Sequence, residues 1–137
     1  MRWADAVSPS SAHAAFWEGL RDGRLLAGHC GACDRWSFYP RAVCPHCGAL
    51  APVLRPLQGD GEVYSVTTVR RPLFEDWGDA PYDVVLVDMI EGVRVMGRVL
   101  GAAGRVRIGD PVRVMFVDVH DDRRWYAFLP CEEASRA

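Results

Sequence analysis

The second half of the chain alternates between apolar and polar positions in short runs. Such alternation, with many β-branched residues, is typical of strands that bury one face. Turn-forming residues separate the runs. Five strands are predicted, in the segments EVYSVTTVRRP (62–72), YDVVLVDMI (82–90), VRVMGRVL (93–100), VRVMFVDVHD (112–121) and RWYAFLP (124–130).

The spacing of these strands predicts an antiparallel, meander-like arrangement. Glu91 and Gly92 form the hairpin turn between the second and third strands. Gly97 lies inside the third strand, where a glycine indicates a bulge or a sharp coil. Five short coiled strands in about 75 residues fit a small closed barrel of the OB type. A split sandwich is the competing architecture.

The first half of the chain has a different pattern. A helix is predicted to begin near Ser10 or Ser11 and to end at Gly23, with Phe16, Trp17 and Leu20 on one side. The segment RLLAGHC (24–30) indicates a short strand. A helix beside a small module has little core to cover, so its aromatic stripe either packs on the protein's own body or forms a docking surface.

Four of the five cysteines form two Cys-x-x-Cys pairs, Cys30 with Cys33 and Cys44 with Cys47. Two such turns can place four sulfurs around one ion, and a closed S4 shell suits Zn²⁺. A redox motif needs only one pair at the start of a helix, and a reducing compartment disfavours disulfides. We therefore expect one structural zinc ion, with no open position for catalysis. Gly31 and Gly48 are expected at the tight turns of the knuckles.

Three further residues could take part in chemistry at or near such a site. His46 lies inside the second pair and His29 precedes the first, but the cysteines already satisfy a zinc ion. Both histidines are expected to be exposed or to contact the ligands from outside. Cys131 is isolated near the C-terminus and is expected to fill space as a small hydrophobic residue.

The segment GALAPVLRPLQGDG (48–61) is rich in proline and glycine and is predicted to be a link. It divides the chain near residue 57. The predicted units are a helical segment (1–27), a zinc ribbon (28–57) and a barrel (58–137).

Composition and charge make some functional classes less favoured. The 137 residues carry a formal net charge of -2, which does not favour nucleic-acid binding. All 16 basic residues are arginine. No apolar leader or membrane span is visible, so a cytoplasmic protein is expected.

The chain resembles a family of zinc-ribbon and OB-fold proteins that accompany thiolases and other acyl-CoA enzymes. The matching stretches cover nearly all of the region from residue 16 to residue 130. Tyr39 stands where the family commonly has phenylalanine, and only Pro40 precedes Arg41 where two prolines are common. The segments that carry the resemblance are FWEGLRDGRLLAGHCGAC, FYPRAVCPHCG, GDGEVYSVTTVRRP, PYDVVLVDMIEGVRVMGRVL, VRIGDPVRVMF and AFLP.

The resemblance implies a helix or helical hairpin, a rubredoxin-like zinc ribbon and then the barrel. It also implies a non-catalytic subunit that binds a thiolase-fold enzyme, or an acyl-CoA hydratase or aldolase, and completes or braces its acyl-CoA channel. The catalytic residues would then belong to the partner. Asp88, Glu91 and Asp110 are expected to serve turns and solubility, so no catalytic residue is predicted in this chain.

Candidate contact residues follow from this role. Arg41, Arg70 and Arg71 are candidates to hold CoA phosphates, although a solvated surface charge is the favoured interpretation of each. Aromatic side chains favour interface cores, and the alternative for each is packing within the zinc module. For Phe38 we expect that internal packing. The candidates for partner contacts are Phe16, Trp17, Trp36, Phe38 and Tyr39.

Two other functional classes remain open. A single-stranded nucleic-acid reader of the OB type needs aromatic platforms on its central strands, and the segments VVLVDMI and VRVMGRV carry none. An enzyme would need a nucleophile with a base beside it, and only Cys131 could supply the nucleophile.

Overall fold

The computed structural model describes residues 13–72, 78–119 and 123–134. The predicted helix start near Ser10 or Ser11 lies outside these residues. The described part of the chain is mostly strand, with one short helix before the strands and another after them. The elements are α1 (Ala14–Arg21), β1 (Leu26–His29), β2 (Trp36–Ser37), β3 (Val53–Pro56), β4 (Asp60–Val69), β5 (Tyr82–Met89), β6 (Arg94–Arg98), β7 (Pro111–Asp118), β8 (Arg124–Pro130) and α2 (Cys131–Ala134).

The five C-terminal strands form one antiparallel sheet that curls into a nearly closed barrel. The strand order is β6-β5-β4-β7-β8. A register shift between Val63 and Ser65 gives β4 an irregularity against β5, which helps a long strand to bend around a small barrel. A parallel bridge between Val99 and Phe128 brings the end of β6 beside β8. The prediction of a five-stranded OB fold is confirmed.

Two details of the predicted barrel are wrong. The strands do not form a meander, because β7 pairs with β4, for example Val112 with Gly61, and not with β6. Of the two roles predicted for Gly97, the bulge is wrong, because β5 and β6 pair in an unbroken register. A Cβ atom on Gly97 would lie 2.6 Å from the ring of Phe128. The glycine therefore allows a large ring of β8 to approach β6 inside the barrel.

The zinc-ribbon region contains a three-stranded sheet in the order β2-β1-β3. The central strand β1 places Gly28 opposite Ser37 of β2 and opposite Leu54 of β3. Strand β3 lies in the segment predicted to be a proline- and glycine-rich link. The link is therefore partly ordered as a strand, because pairing with β1 satisfies its backbone groups.

One hydrophobic core joins the helix to the barrel. Phe16 and Leu20 of α1 belong to the same buried cluster as Val87 and Val95 of the barrel strands. Helix α1 packs mainly on β8. The expectation that this helix has little core to cover is wrong, since its apolar side covers the barrel.

Two buried polar groups of the barrel are fully paired. The carboxylate of Asp83, which is 2% exposed, accepts hydrogen bonds from the Thr68 hydroxyl (2.8 Å) and the Gly104 N–H (2.7 Å). The hydroxyl of Tyr126 donates to the carbonyl of Met96 at 2.5 Å. Burial raises the pKa of Tyr126 well above its ordinary value, so this hydroxyl remains a donor.

Candidate metal centre and interaction surfaces

The two Cys-x-x-Cys segments fold into similar knuckles. In the first, the N–H of Asp34 donates to the carbonyl of Cys30 (2.8 Å), and in the second, the N–H of Gly48 donates to that of Cys44 (3.0 Å). Both donors have a positive φ, 62° for Asp34 and 79° for Gly48. Gly48 therefore has the predicted turn role. Asp34, and not Gly31, has that role in the first knuckle.

The knuckles bring four cysteine sulfurs together at one point. The Sγ atoms of Cys30, Cys33, Cys44 and Cys47 all lie within 4.8 Å of one another. Two of the separations are 3.6 Å, between Cys30 and Cys47, and 3.7 Å, between Cys33 and Cys44. A Zn–S bond of about 2.3 Å in a tetrahedron requires sulfurs about 3.8 Å apart. The four thiols therefore fit one zinc ion, which they could hold in a closed shell.

The pKa values of the four thiols diverge, since those of Cys30 and Cys44 are lowered while those of Cys33 and Cys47 are raised. Burial favours the neutral thiol of Cys44, but N–H groups of Cys47 and His46 and the thiols of Cys33 and Cys30 outweigh it. The net effect lowers the pKa of Cys44 to about 6. Thiolates are the form that binds zinc, so these donors support metal binding.

The two nearby histidines face other partners. Nε2 of His46 lies 3.1 Å from the carbonyl oxygen of Trp36, to which it can donate. Nε2 of His29 lies 2.7 Å from the carboxylate of Asp34. Among the described residues, the group of possible metal ligands at this point consists of cysteines alone. Both histidines brace the first knuckle or β2 from outside the sulfur cluster.

A cleft of about 520 Å³ separates the ribbon from the β5–β6 hairpin. Arg35 and Arg41 line it from the ribbon, and Arg94 and Glu91 line it from the hairpin. Arg70 and Arg71, at the end of β4, are exposed and are not among the lining residues. The structure thus brings Arg41 together with two arginines that the sequence reasoning did not select. Arg35 could have been found from its position directly after the first knuckle.

Comparison with family models gives two matches that follow each other along the chain. Residues 17–53 match the rubredoxin-like zinc ribbon domain of ChsH2, and residues 54–117 match the C-terminal OB-fold domain of ChsH2. Together they cover well over half of the chain. The chain belongs to the ChsH2 family.

Curated relatives of this ChsH2-family chain have several roles in their names. A probable enoyl-CoA hydratase alpha subunit of Thermomonospora curvata is 31% identical over 85% of this chain, which spans only 37% of that relative. A DUF35 domain-containing scaffold protein of Methanothermobacter thermautotrophicus is 29% identical, with 72% of this chain and 75% of the relative covered. The benzoylsuccinyl-CoA thiolase subunit BbsA of Thauera aromatica is 28% identical, with 81% and 78% covered.

A solved structure described as the Ltp2-ChsH2(DUF35) aldolase contains a similar chain. The TM-score is 0.80 and the sequence identity 28%, and the match covers 90% of this chain and 98% of that one. Nearly the whole of both chains aligns. The ribbon and the barrel are therefore arranged in the same way in this ChsH2-family chain and in the solved one.

The predicted aromatic contacts have different surroundings in the structure. Phe16 is 3% exposed and packs edge-on against Phe38, Tyr39 and Trp125, with ring centroids 5.8–6.3 Å apart. Its side chain is therefore not available to a partner. Trp17 is half-buried, and its ring lies 5.2 Å from that of Trp125.

Tyr39 and Trp36 remain partly accessible on the ribbon. Tyr39 is 41% exposed, and Trp36 is half-buried at the edge of the cleft. Phe38 packs internally, but against Phe16 of α1 and Tyr126 of β8 and not only within the zinc module as predicted.

The three carboxylates assigned to turns have partners there. Asp88 pairs with Arg94 at 2.7 Å, and Asp110 accepts the N–H of Arg107 at 2.8 Å. Glu91 accepts the N–H of Gln58 at 2.7 Å. Cys131 begins α2 and is half-buried. Among the described residues, no helix is both long and apolar enough to cross a membrane.

Proposed function

We propose that this chain is a non-catalytic accessory subunit that binds a thiolase-fold enzyme and supports its acyl-CoA reaction, either acyl transfer or the making or breaking of a C–C bond. The observation that carries the proposal is the end-to-end likeness to the ChsH2 chain of an aldolase described by two components. The name of the thiolase subunit BbsA and that of the archaeal scaffold protein support the same role. Such a subunit would work in the cytoplasm.

In this role the zinc ion, held by Cys30, Cys33, Cys44 and Cys47, would be structural. A closed shell of four thiolates leaves no coordination position for water or substrate. The ion would stabilise the knuckles and hold the three-stranded sheet against the barrel. The nucleophile and the oxyanion hole would come from the partner enzyme.

Acyl-CoA would lie at or near the interface between the two subunits. The position of Arg41 supports this location of acyl-CoA. Arg41 shares the ribbon–barrel cleft with Arg35, and guanidinium groups bind phosphates through paired hydrogen bonds. Arg70 and Arg71 remain further candidates on a different part of the surface. Trp17, Trp36 and Tyr39 remain candidates for partner contacts, whereas the buried Phe16 does not.

An enoyl-CoA hydratase is the second candidate for the partner. The name of the Thermomonospora curvata relative favours it, and the longer chain of that relative leaves room for a hydratase unit beside the matched region. In that case the accessory role and the acyl-CoA setting would be kept, while the reaction would change to hydration.

A pull-down of the tagged chain from its own host, read by mass spectrometry, tests the proposal. We expect a thiolase-fold or aldolase-type subunit in near-stoichiometric amount. A hydratase would favour the second candidate. Recovery of nucleic acid, or of no acyl-CoA enzyme, would refute the accessory role. The untagged chain, taken through the same procedure, is the control for nonspecific capture.

A further inference from the structure

A second concave surface lies on the barrel, apart from the ribbon–barrel cleft. It is a groove of about 780 Å³ across the start of β4. Three large apolar side chains border it and face solvent: Tyr64 is 50% exposed, Ile90 58% and Ile108 70%. Ile90 comes from the turn after β5, and Ile108 from the loop before β7. Residues far apart in the sequence thus form one apolar surface. The chain covers part of it, because the guanidinium of Arg94 lies 3.4 Å from the centroid of the Tyr64 ring.

The backbone holds the two isoleucines in fixed positions. The N–H of Ile90 donates to the carbonyl of Asp60 at 3.1 Å. Next to Ile108, the N–H of Gly109 donates to the carbonyl of Val63 at 2.8 Å, and the N–H of Val63 donates to Asp110 at 3.0 Å. Because both loops are bound to β4, the backbone that carries the isoleucines is held in place, and a partner would order little of it on binding.

The charge of the groove is negative on balance. Three carboxylates and one guanidinium line it, those of Asp60, Glu62, Asp88 and Arg113. Asp60 pairs with Arg113 at 2.7 Å, and Asp88 pairs with the neighbouring Arg94. Glu62 is exposed and has no ion-pair partner among the described residues. The unsatisfied charge beside the apolar surface is therefore a single carboxylate.

These features suit a protein segment better than a small molecule. A small-molecule pocket encloses its ligand and points several free polar groups at it. Here the bordering side chains are exposed and all but one of the charges are paired within the chain. A partner that places apolar side chains on the isoleucines and a lysine or arginine beside Glu62 would match both the shape and the charge.

We propose that this groove docks the enzyme subunit that the chain accompanies, through a segment that bears apolar side chains next to a basic residue. The inference rests on the proposed function and names the surface that performs it. It adds a docking surface on the barrel to the candidate contact residues Trp36 and Tyr39 of the ribbon.

The test measures the affinity of purified variants for the thiolase- or aldolase-type subunit that co-purifies with the wild-type chain. The Ile90→Ser/Ile108→Ser double variant should raise Kd by at least about tenfold. Glu62→Gln should raise Kd by about threefold and make it less sensitive to salt. Leu50→Ser and Glu18→Gln are the matched controls outside the groove and should leave Kd unchanged. Zinc content and circular dichroism verify that each variant is folded.

Each outcome has one meaning. An unchanged Kd for the double variant, with the wild type binding normally, would overturn the groove assignment and leave the accessory role standing. If the wild-type chain recovers no such subunit, the proposed function fails and the docking proposal fails with it. If the wild type forms dimers by light scattering that the double variant abolishes, the groove binds a second copy and the assignment to an enzyme subunit is wrong.

Discussion

At the scale of single residues, the close contact between β6 and β8 depends on an absent side chain. Gly97 in β6 faces the ring of Phe128, and an added Cβ would lie 2.6 Å from that ring and 3.2 Å from the ring of Tyr126. Both rings are buried in the core and have no room to move aside. Gly97→Ala should therefore destabilise the protein by about 1–3 kcal/mol. Urea unfolding of the zinc-loaded protein measures this change.

Gly31→Ala is the matched control for that variant. Gly31 has no heavy atom within 4 Å of its added Cβ and does not have a positive φ. Its replacement should change the free energy of unfolding by less than about 0.5 kcal/mol. Equal unfolding midpoints for the two variants would mean that the contact between β6 and β8 is looser than the structure indicates.

At the scale of elements, the alternation of apolar and polar residues predicted where the barrel strands lie but not how they pair. Strands β5 and β6 alternate largely between buried and more exposed positions, and β8 contains a short apolar run, so these strands could be found from the sequence alone. Which strands pair is not contained in the alternation, and the meander was therefore predicted in place of the pairing between β4 and β7. Strand β3 was missed because it is mostly exposed and lies among prolines and glycines.

The sulfur cluster could be predicted from the sequence, whereas the two concave surfaces could not. The spacing of the cysteines is a local pattern, and it indicated the sulfur cluster directly. The ribbon–barrel cleft and the barrel groove are built from loops that meet only in three dimensions. No local pattern in the sequence connects Ile90 with Ile108, or Arg41 with Arg94.

The prediction at the scale of elements concerns zinc binding by the ribbon. Cys33→Ser removes one thiolate from a shell of four, so the purified variant should lose most of its bound zinc, from about one ion per chain in the wild type. Because metal binding contributes to folding, its ribbon should also become sensitive to proteases. Plasma mass spectrometry measures the zinc. Cys131→Ser lies outside the cluster and should keep a full complement. Full zinc in Cys33→Ser would exclude Cys33 as a ligand.

At the scale of the whole molecule, α1, the ribbon and the barrel share one core. Phe16 of α1 contacts Phe38 of the ribbon and Trp125 of β8. A side chain that joins three parts of a molecule should couple their unfolding. The described residues are therefore expected to unfold in one transition, although the ribbon and the barrel match separate family models.

Phe16→Ala tests that coupling. The loss of a buried aromatic ring should lower the free energy of unfolding by about 3–5 kcal/mol. Zinc release, read with a metal-binding dye, and tryptophan fluorescence should shift together to lower urea concentration, since the ribbon and barrel lose the same support. Leu50→Ala, at a site 81% exposed on the ribbon, should shift neither signal appreciably. If zinc release moved while the fluorescence transition stayed in place, the ribbon would unfold independently of the barrel.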